Sequence, residues 1–351
     1  MNLPKSDLVS TGMQITTVGL GTWAIGGGDW AFSWGPQDDA ASLSTMRHAI
    51  ELGVNWIDTA AVYGLGHSEE LVGKFLHELS PSERPLVFTK CGLVWDPKDR
   101  IGEAKRVLRP ESIRRECEES LRRLGVERID LYQFHWPNES GVRIEDSWAM
   151  MSQLVGEGKV RATGVSNFDA KLMKRCEPIR HVDSLQPPFS LINRAAAETN
   201  IPWCASHHTG VICYSPMQSG LLTDTFTAER VATMAQGDWR RNGGEFQQPN
   251  LKNNLALRDA LRPIGQRHGA SVSAVAVAWT LAWPGVTGAI VGARKPEQVD
   301  AWIAAANLKL SAKDLDEIVA AIQQTGAGAG PTRPASVAPH TEKESSRRAK
   351  V

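Results

Sequence analysis

The sequence lacks most of the features that would place it in a specialised class. Its 351 residues include only five cysteines (Cys91, Cys117, Cys176, Cys204 and Cys213), widely scattered. No Cys-x-x-Cys or Cys/His spacing joins them, so neither a disulfide framework nor a metal site is expected. Neither charge is in excess: 39 Lys and Arg face 39 Asp and Glu, for a net charge of zero. That balance speaks against a nucleic acid or an anionic membrane as partner. No apolar run reaches the roughly 18 residues of a membrane-spanning helix. The opening Met1-Asn2-Leu3-Pro4-Lys5 has no apolar signal core. A soluble, reducing, cytoplasmic setting is therefore expected. Tyrosine is scarce at three residues, whereas tryptophan is plentiful at twelve.

What the sequence does have is a rhythm. Helical stretches end in glycine and lead into short β-branched runs: Met46 to Leu52, Gly53, then Val54-Asn55-Trp56-Ile57, and again Ile113 to Leu124, Gly125, then Arg128 to Phe134. Strands are expected near 15–18, 54–57, 86–90, 129–134, 160–165, 183–186, 211–214 and 288–291, with helical patterns between them. Eight alternating units predict an α/β fold, a closed (β/α)8 TIM barrel spanning 1–325. No G-x-G-x-x-G turn follows a strand, which weakens an open dinucleotide-binding sheet. Loops at 91–109 and 222–250 are long enough to suggest functional lids over the mouth. Residues 326–351 lose apolar content and are expected to be a disordered tail. Ser311 and Asp314 form a capping box ahead of the last helix.

In such a barrel the residues just after each strand line the C-terminal mouth, where active sites are built. Run down the chain, that rule collects Asp58, Tyr63, Lys90, His135, Ser166, Asn167, Gln186, Tyr214, Ser215, Gly292 and Arg294. Singly, each has an ordinary reading: a helix cap for Asp58 or for Ser166 and Asn167, a rim ring for Tyr63, surface for Lys90, a core imidazole for His135. Jointly they read as chemistry. A lysine ending an apolar strand needs a counter-ion, and Asp58 on the neighbouring strand supplies one. Such a pair beside a phenol is expected to lower the phenol pKa from about 10 toward neutrality, making Tyr63 a general acid. Aromatic residues in the mouth loops, Trp23, Trp30, Phe32, Trp95 and Trp136 with Trp34 and Trp239, suggest an apolar substrate pocket for a bulky ketone.

With these residues in view, the chain resembles the aldo-keto reductase superfamily over residues 10–325. The resemblance rests on Gly19-Leu20-Gly21-Thr22-Trp23, Asp58-Thr59-Ala60-Ala61-Val62-Tyr63-Gly64, the Lys90 and His135 strand ends, Gly164-Val165-Ser166-Asn167-Phe168, Gln186, Tyr214-Ser215-Pro216 and Gly292-Ala293-Arg294. It implies an NADPH/NADP+-dependent reductase of aldehydes and ketones, without metal, with Asp58, Tyr63, Lys90 and His135 as catalytic tetrad. It also implies cofactor contacts. Ser166, Asn167 and Gln186 would hold the carboxamide, and Tyr214 would stack on the nicotinamide. Gly21, Thr22, Trp23 and Asp58 would lie beside the nicotinamide ribose. Ser215, Pro216, Met217, Gly220 and Leu222 would follow the pyrophosphate, with Gly292, Arg294 and Gln298 at the adenosine end and Arg294 on the 2′-phosphate. Ala301 and Trp302 depart from the acidic and amide residues the superfamily commonly places against adenine. A small carbonyl substrate is the implied partner, with a monomer or weak homo-oligomer as assembly. The pattern is also similar to bacterial 3-keto trichothecene reductases. Two alternatives share the fold: an NAD-linked sugar or polyol dehydrogenase, and a cofactor-sensing module resembling potassium-channel β-subunits.

Overall fold

The structure, a computed structural model, describes residues 2–334. Eight parallel strands follow one another around a closed barrel: β1 (Val18–Gly21), β2 (Trp56–Asp58), β3 (Leu86–Cys91), β4 (Ile129–Phe134), β5 (Val160–Ser166), β6 (Ser184–Gln186), β7 (Gly210–Tyr214) and β8 (Gly288–Gly292). β8 pairs back onto β1 with Gly292 opposite Gly21, so the barrel has no edge. This is the (β/α)8 barrel that the alternation predicts. Helices such as α1 (Asp39–Glu51), α2 (His67–His77) and α3 (Pro110–Leu124) cover the outside. α3 shows how local signals set the ends: Pro110 opens it, and Gly125, at φ +63°, closes it by donating to the Leu121 carbonyl. The capping box of Ser311 and Asp314 also forms, each side chain accepting from the other residue's backbone N–H.

The barrel interior is filled by Trp56, Phe88, Leu131, Ala162, Ile212 and Ile290, joined from below by Leu8, Met13 and Ile15. Those last three belong to an N-terminal hairpin, Lys5–Leu8 paired with Met13–Thr16, which plugs the bottom of the barrel. The expected first strand at 15–18 straddles two elements, the second hairpin strand and β1. The reason is steric. A β-carbon on Gly19 would lie 2.1 Å from the Trp56 indole. Glycine is required there because tryptophan fills the barrel axis.

The 91–109 segment folds partly as a small hairpin, Leu93–Val94 with Lys105–Arg106. The 222–250 segment carries a short helix, Ala228–Thr233, and two 3-10 turns. The expected loose tail does not begin at 326. Ala327 is buried, Asn193 and Ala329 form a bridge, and the Arg194 guanidinium donates to the Ala327 and Gly330 carbonyls. This segment looked unstructured because its anchors are backbone groups, which leave no apolar signal. Residues 335–351, the rest of the expected tail, lie outside the described residues. Among the described residues, no helix is long and apolar enough to cross a membrane.

Candidate active site

Strand register brings the central charges together. Asp58 ends β2, and Lys90, one residue before the end of β3, sits opposite Gln133 of β4. Both side chains are almost fully buried. The Lys90 ammonium has three protons to donate, and each finds an acceptor: Asp58 Oδ1 at 2.5 Å, the Thr59 carbonyl at 2.8 Å and the Tyr63 hydroxyl at 3.3 Å. The other Asp58 oxygen accepts from Gln186 Nε2 at 2.9 Å. The His135 ring stands edge-on to Tyr63 with centroids 5.6 Å apart. The four residues gathered by the strand-end rule thus converge in space.

Burial dominates the electrostatics of this group. It raises the Asp58 carboxyl, against the opposing pull of Lys90, and it lowers the Lys90 ammonium, against Asp58 and Glu69. The Tyr63 phenol is pushed well above its ordinary value, first by burial and then by the Asp58 charge. This reverses the expected lowering. Charge partners can be read from sequence, but the loss of water around the phenolate outweighs the one cation, whose charge Asp58 already balances. Tyr63 therefore holds its proton through the neutral range. Burial first, and Lys90 second, hold the His135 imidazole well below its usual value, so it is neutral there.

Around Tyr63 the aromatic walls are close. Trp23 stacks at 6.2 Å, and Trp30 is tilted at 6.5 Å with its indole N–H on the Gly27 carbonyl. Trp95 packs on the same cluster. Phe32 lies farther out, 43% exposed, edge-on to Trp30. Trp136 departs from the expected pocket. It lies under the Arg106 guanidinium at 4.5 Å, outside the cluster that holds Tyr63. Arg106 on the small hairpin offers it a cation–π partner.

A cleft of about 410 Å³ runs from Tyr63 across β1, β8 and β7. Of the expected cofactor residues, Gly21, Thr22, Trp23, Asp58, Gln186, Tyr214, Ser215, Pro216, Met217, Gly220, Gly292, Arg294 and Gln298 line it. Three do not. Leu222 is fully buried in the outer core. Ser166 donates to the Gln186 carbonyl. Asn167, at φ +62°, donates to the His135 carbonyl and accepts from the Tyr214 hydroxyl. Neither caps a helix, since Asp169 takes that place. Both instead brace the residues that do line the cleft. The turn after β7 is strained, with Ser215, Gln218 and Ser219 all at positive φ beside Gly220. Non-glycine residues hold such angles only where surrounding structure imposes them, and they gather at functional sites.

Three basic lining residues are not among those the sequence points to. Arg230, Arg240 and Lys295 join Arg294 along the cleft, together with Trp34, which the mouth-loop aromatics include. Arg240 is 5% exposed, paired with Asp238 at 2.6 Å and seated over the Trp34 ring at 4.3 Å. Trp239 stacks on Trp23 at 5.2 Å. The Ser33 hydroxyl donates to the Gly237 carbonyl and the Trp239 N–H to the Ser33 carbonyl, finishing a bridge over the cleft. The polar composition of 222–250 gives no hint of this, because the one ion pair inside it, Arg240 with Asp238, forms between residues two apart. The signal available was a Trp-Arg pair in a long polar loop. Arg294 reaches the cleft with its guanidinium already engaged by Gln37 Oε1 at 2.7 Å and by the Trp34 and Pro36 carbonyls.

Comparison with known proteins agrees with this geometry. Residues 17–323 match the sequence profile of the Aldo/keto reductase family. "Aldo-keto reductase YhdN" of Bacillus subtilis (strain 168) is 35% identical over 340 residues, covering 97% of this chain and 99% of that protein. "NADH-specific methylglyoxal reductase" of Escherichia coli (strain K12) is 36% identical over 321 residues, covering 89% and 96%. Among solved structures, the glycerol dehydrogenase AKR11B4 from Gluconobacter oxydans superposes with a TM-score of 0.83 at 36% identity, covering 96% of this chain and all of that one.

Proposed function

The chain belongs to the aldo/keto reductase family, and from that premise we propose that it reduces a carbonyl compound to an alcohol using NADPH, with Tyr63 as proton donor. The observation that carries this reading is the buried Tyr63–Lys90–Asp58 chain, in which every ammonium proton has an acceptor and one acceptor is the phenol oxygen.

The cleft suits a nicotinamide dinucleotide. Buried indole N–H groups of Trp34 and Trp302 stand in its wall without a protein acceptor. Arg230, Arg240, Arg294 and Lys295 gather at one end, more cations than the local carboxylates balance. The strained turn from Ser215 to Gly220 would carry the pyrophosphate, and Arg294 the 2′-phosphate through the two guanidinium protons that Gln37, Trp34 and Pro36 leave free. When bound, the nicotinamide supplies hydride to the carbonyl carbon. Tyr63 holds the proton that the carbonyl oxygen needs. Lys90, anchored by Asp58, stabilises the phenolate left behind. Neutral His135 can direct an N–H to the same oxygen, giving an oxyanion site of phenol and imidazole. Gln186 keeps Asp58 oriented toward Lys90.

Trp23, Trp30 and His135 crowd Tyr63, and this favours a compact carbonyl over the bulky ketone that the aromatic count alone suggests. The test is a panel running from methylglyoxal and small hydroxy-aldehydes to alicyclic ketones. It is read at the nicotinamide absorbance band with each cofactor. Failure of the wild type to reduce any carbonyl overturns the reading.

A further inference from the structure

Behind Lys90, on the outer side of β3, lies a second buried ion pair. Glu69, in the first turn of α2, has a fully buried side chain. One of its oxygens accepts from the Thr89 hydroxyl at 2.5 Å, and the other accepts from Arg123 Nε of α3 at 2.6 Å. Thr89 precedes Lys90, and successive side chains on a strand point to opposite faces. Glu69 therefore grips the strand from outside exactly one residue from where Lys90 enters the mouth. The same helix turn holds the neighbouring strand ends. Ser68 bonds to the Thr22 hydroxyl after β1 at 2.8 Å and to the Thr59 hydroxyl after β2 at 3.0 Å. Close helix approach makes the pair possible. A β-carbon on Gly73 of α2 would fall 2.3 Å from the Arg123 carbonyl, so any larger residue would push α3 and its guanidinium away.

We propose that Glu69 and Arg123 are positioning residues for the Lys90–Tyr63 pair, their opposed charges setting how readily that pair gives up its first proton. This rests on the reading of Tyr63 and Lys90 as the proton-donating pair. The pair as a whole passes from one positive charge to none when it first deprotonates. A nearby negative charge must raise that first ionisation and a nearby positive charge must lower it, whichever group loses the proton. The Glu69 charge already counts among those supporting the Lys90 ammonium. The other ionisable groups around the Lys90–Tyr63 pair are Asp58, His135 and Tyr214 on the mouth side, with the buried Cys91 thiol next along the strand. Behind Lys90 stands Arg123, with Glu119 3.9 Å from Arg123 at the surface. Glu116 lies beyond, on the Gly92 N–H.

The test uses the full chain and two readouts. One is the alkaline limb of kcat/KM for carbonyl reduction. The other, independent of turnover, is a pH titration of the Tyr63 phenol carbon by NMR in the cofactor-free protein. With three tyrosines in the chain, that signal is assigned by its loss in Tyr63→Phe. Glu69→Gln should move the first alkaline transition down by roughly one pH unit, a tenfold change in the ionisation constant. Arg123→Gln should move it up by a similar amount. Thr89→Val, which removes the grip and no charge, should lower stability and leave the transition in place. A purely structural pair would shift both charge variants in one direction or neither, and either result overturns the proposal. If Glu69→Gln does not fold, the Arg123→Gln arm decides alone, and a downward or absent shift refutes. A wild type that reduces no carbonyl would defeat the functional reading, while the NMR arm would still decide the electrostatic one.

Discussion

Replacing Arg294 by alanine separates two effects that the structure superimposes on one side chain. The guanidinium braces the first mouth loop through Gln37, Trp34 and Pro36. Gln37 Nε2 returns a bond to the Arg294 carbonyl at 3.0 Å. In the proposed function the same guanidinium also holds the 2′-phosphate. Burial first, then Arg240 and Arg230, press its pKa below the ordinary value, and an incoming anion relieves that repulsion. The phosphate contact, charge-assisted, should be worth about 1.5 to 3 kcal/mol, or about 10- to 150-fold in affinity, and it acts on NADPH alone. Brace bonds are worth about 0.5 to 1.5 kcal/mol each. Their loss loosens Trp34 over the cleft for either cofactor. Arg294→Ala should therefore weaken both nucleotides, and NADPH by a further 10- to 150-fold or so. Gln37→Ala removes brace bonds only, so it should weaken both alike. The assay is quenching of tryptophan fluorescence, which Trp23, Trp34 and Trp239 at the cleft make sensitive to occupancy. An unchanged NADPH-to-NADH ratio in Arg294→Ala, or a wild type that prefers NADH, refutes the assignment.

Tyr63→Phe should lower kcat by about 10² or more while cofactor dissociation constants change little; turnover above a tenth of wild type would remove Tyr63 from the donor role. Burial raises the Glu116 carboxyl to about 7, so the folded state binds more protons than the unfolded state between about pH 4.5 and 7. Stability contributed by that proton is present at the acid end and lost as pH rises through this window, by about 3 kcal/mol. Glu116→Gln should abolish that decline in denaturant titrations, and parallel wild-type and variant curves would refute it. Ending the chain at Thr325 removes the Ala327 and Gly330 carbonyls from buried Arg194. It should cost about 3 kcal/mol or more, given the usual worth of bonds to a buried charge; an unmoved unfolding midpoint would show that the segment contributes nothing.

How legible the molecule was in its sequence depended on the range of the interaction. The barrel followed from the change of hydrophobic period between helix and strand, which is local, and the convergence of Asp58, Tyr63, Lys90 and His135 followed from the rule that places strand-end residues at one mouth. β1 was displaced because Gly19 answers to Trp56, a residue distant in sequence. The Arg294 brace, the Gln186 bond to Asp58 and the docking of Ala327 onto Arg194 join parts of the chain that no local pattern relates. The Tyr63 ionisation was read with the wrong sign because residue types reveal which charges are near but not how much water is gone. The strained angles at Gln218 and Ser219 left no compositional trace, since neither residue type demands them.

The seam where β8 meets β1 divides the labour of the molecule. Asp58, Tyr63, Lys90 and His135 all come from β2 to β4 and the loops that follow them, whereas the Ser215 to Gly220 turn and Arg294 come from β7 and β8. The two groups face one another across a barrel that closes where Gly292 pairs with Gly21. An exposed turn at Glu157–Gly158, where Gly158 has open space about it, falls between them. Under the proposed function, a chain cut there would yield one fragment with the Tyr63–Lys90–Asp58 group and another with most of the nucleotide cradle, each inert. Their recombination would make carbonyl reduction a coincidence detector, giving signal only where both fragments are present and the cylinder has closed.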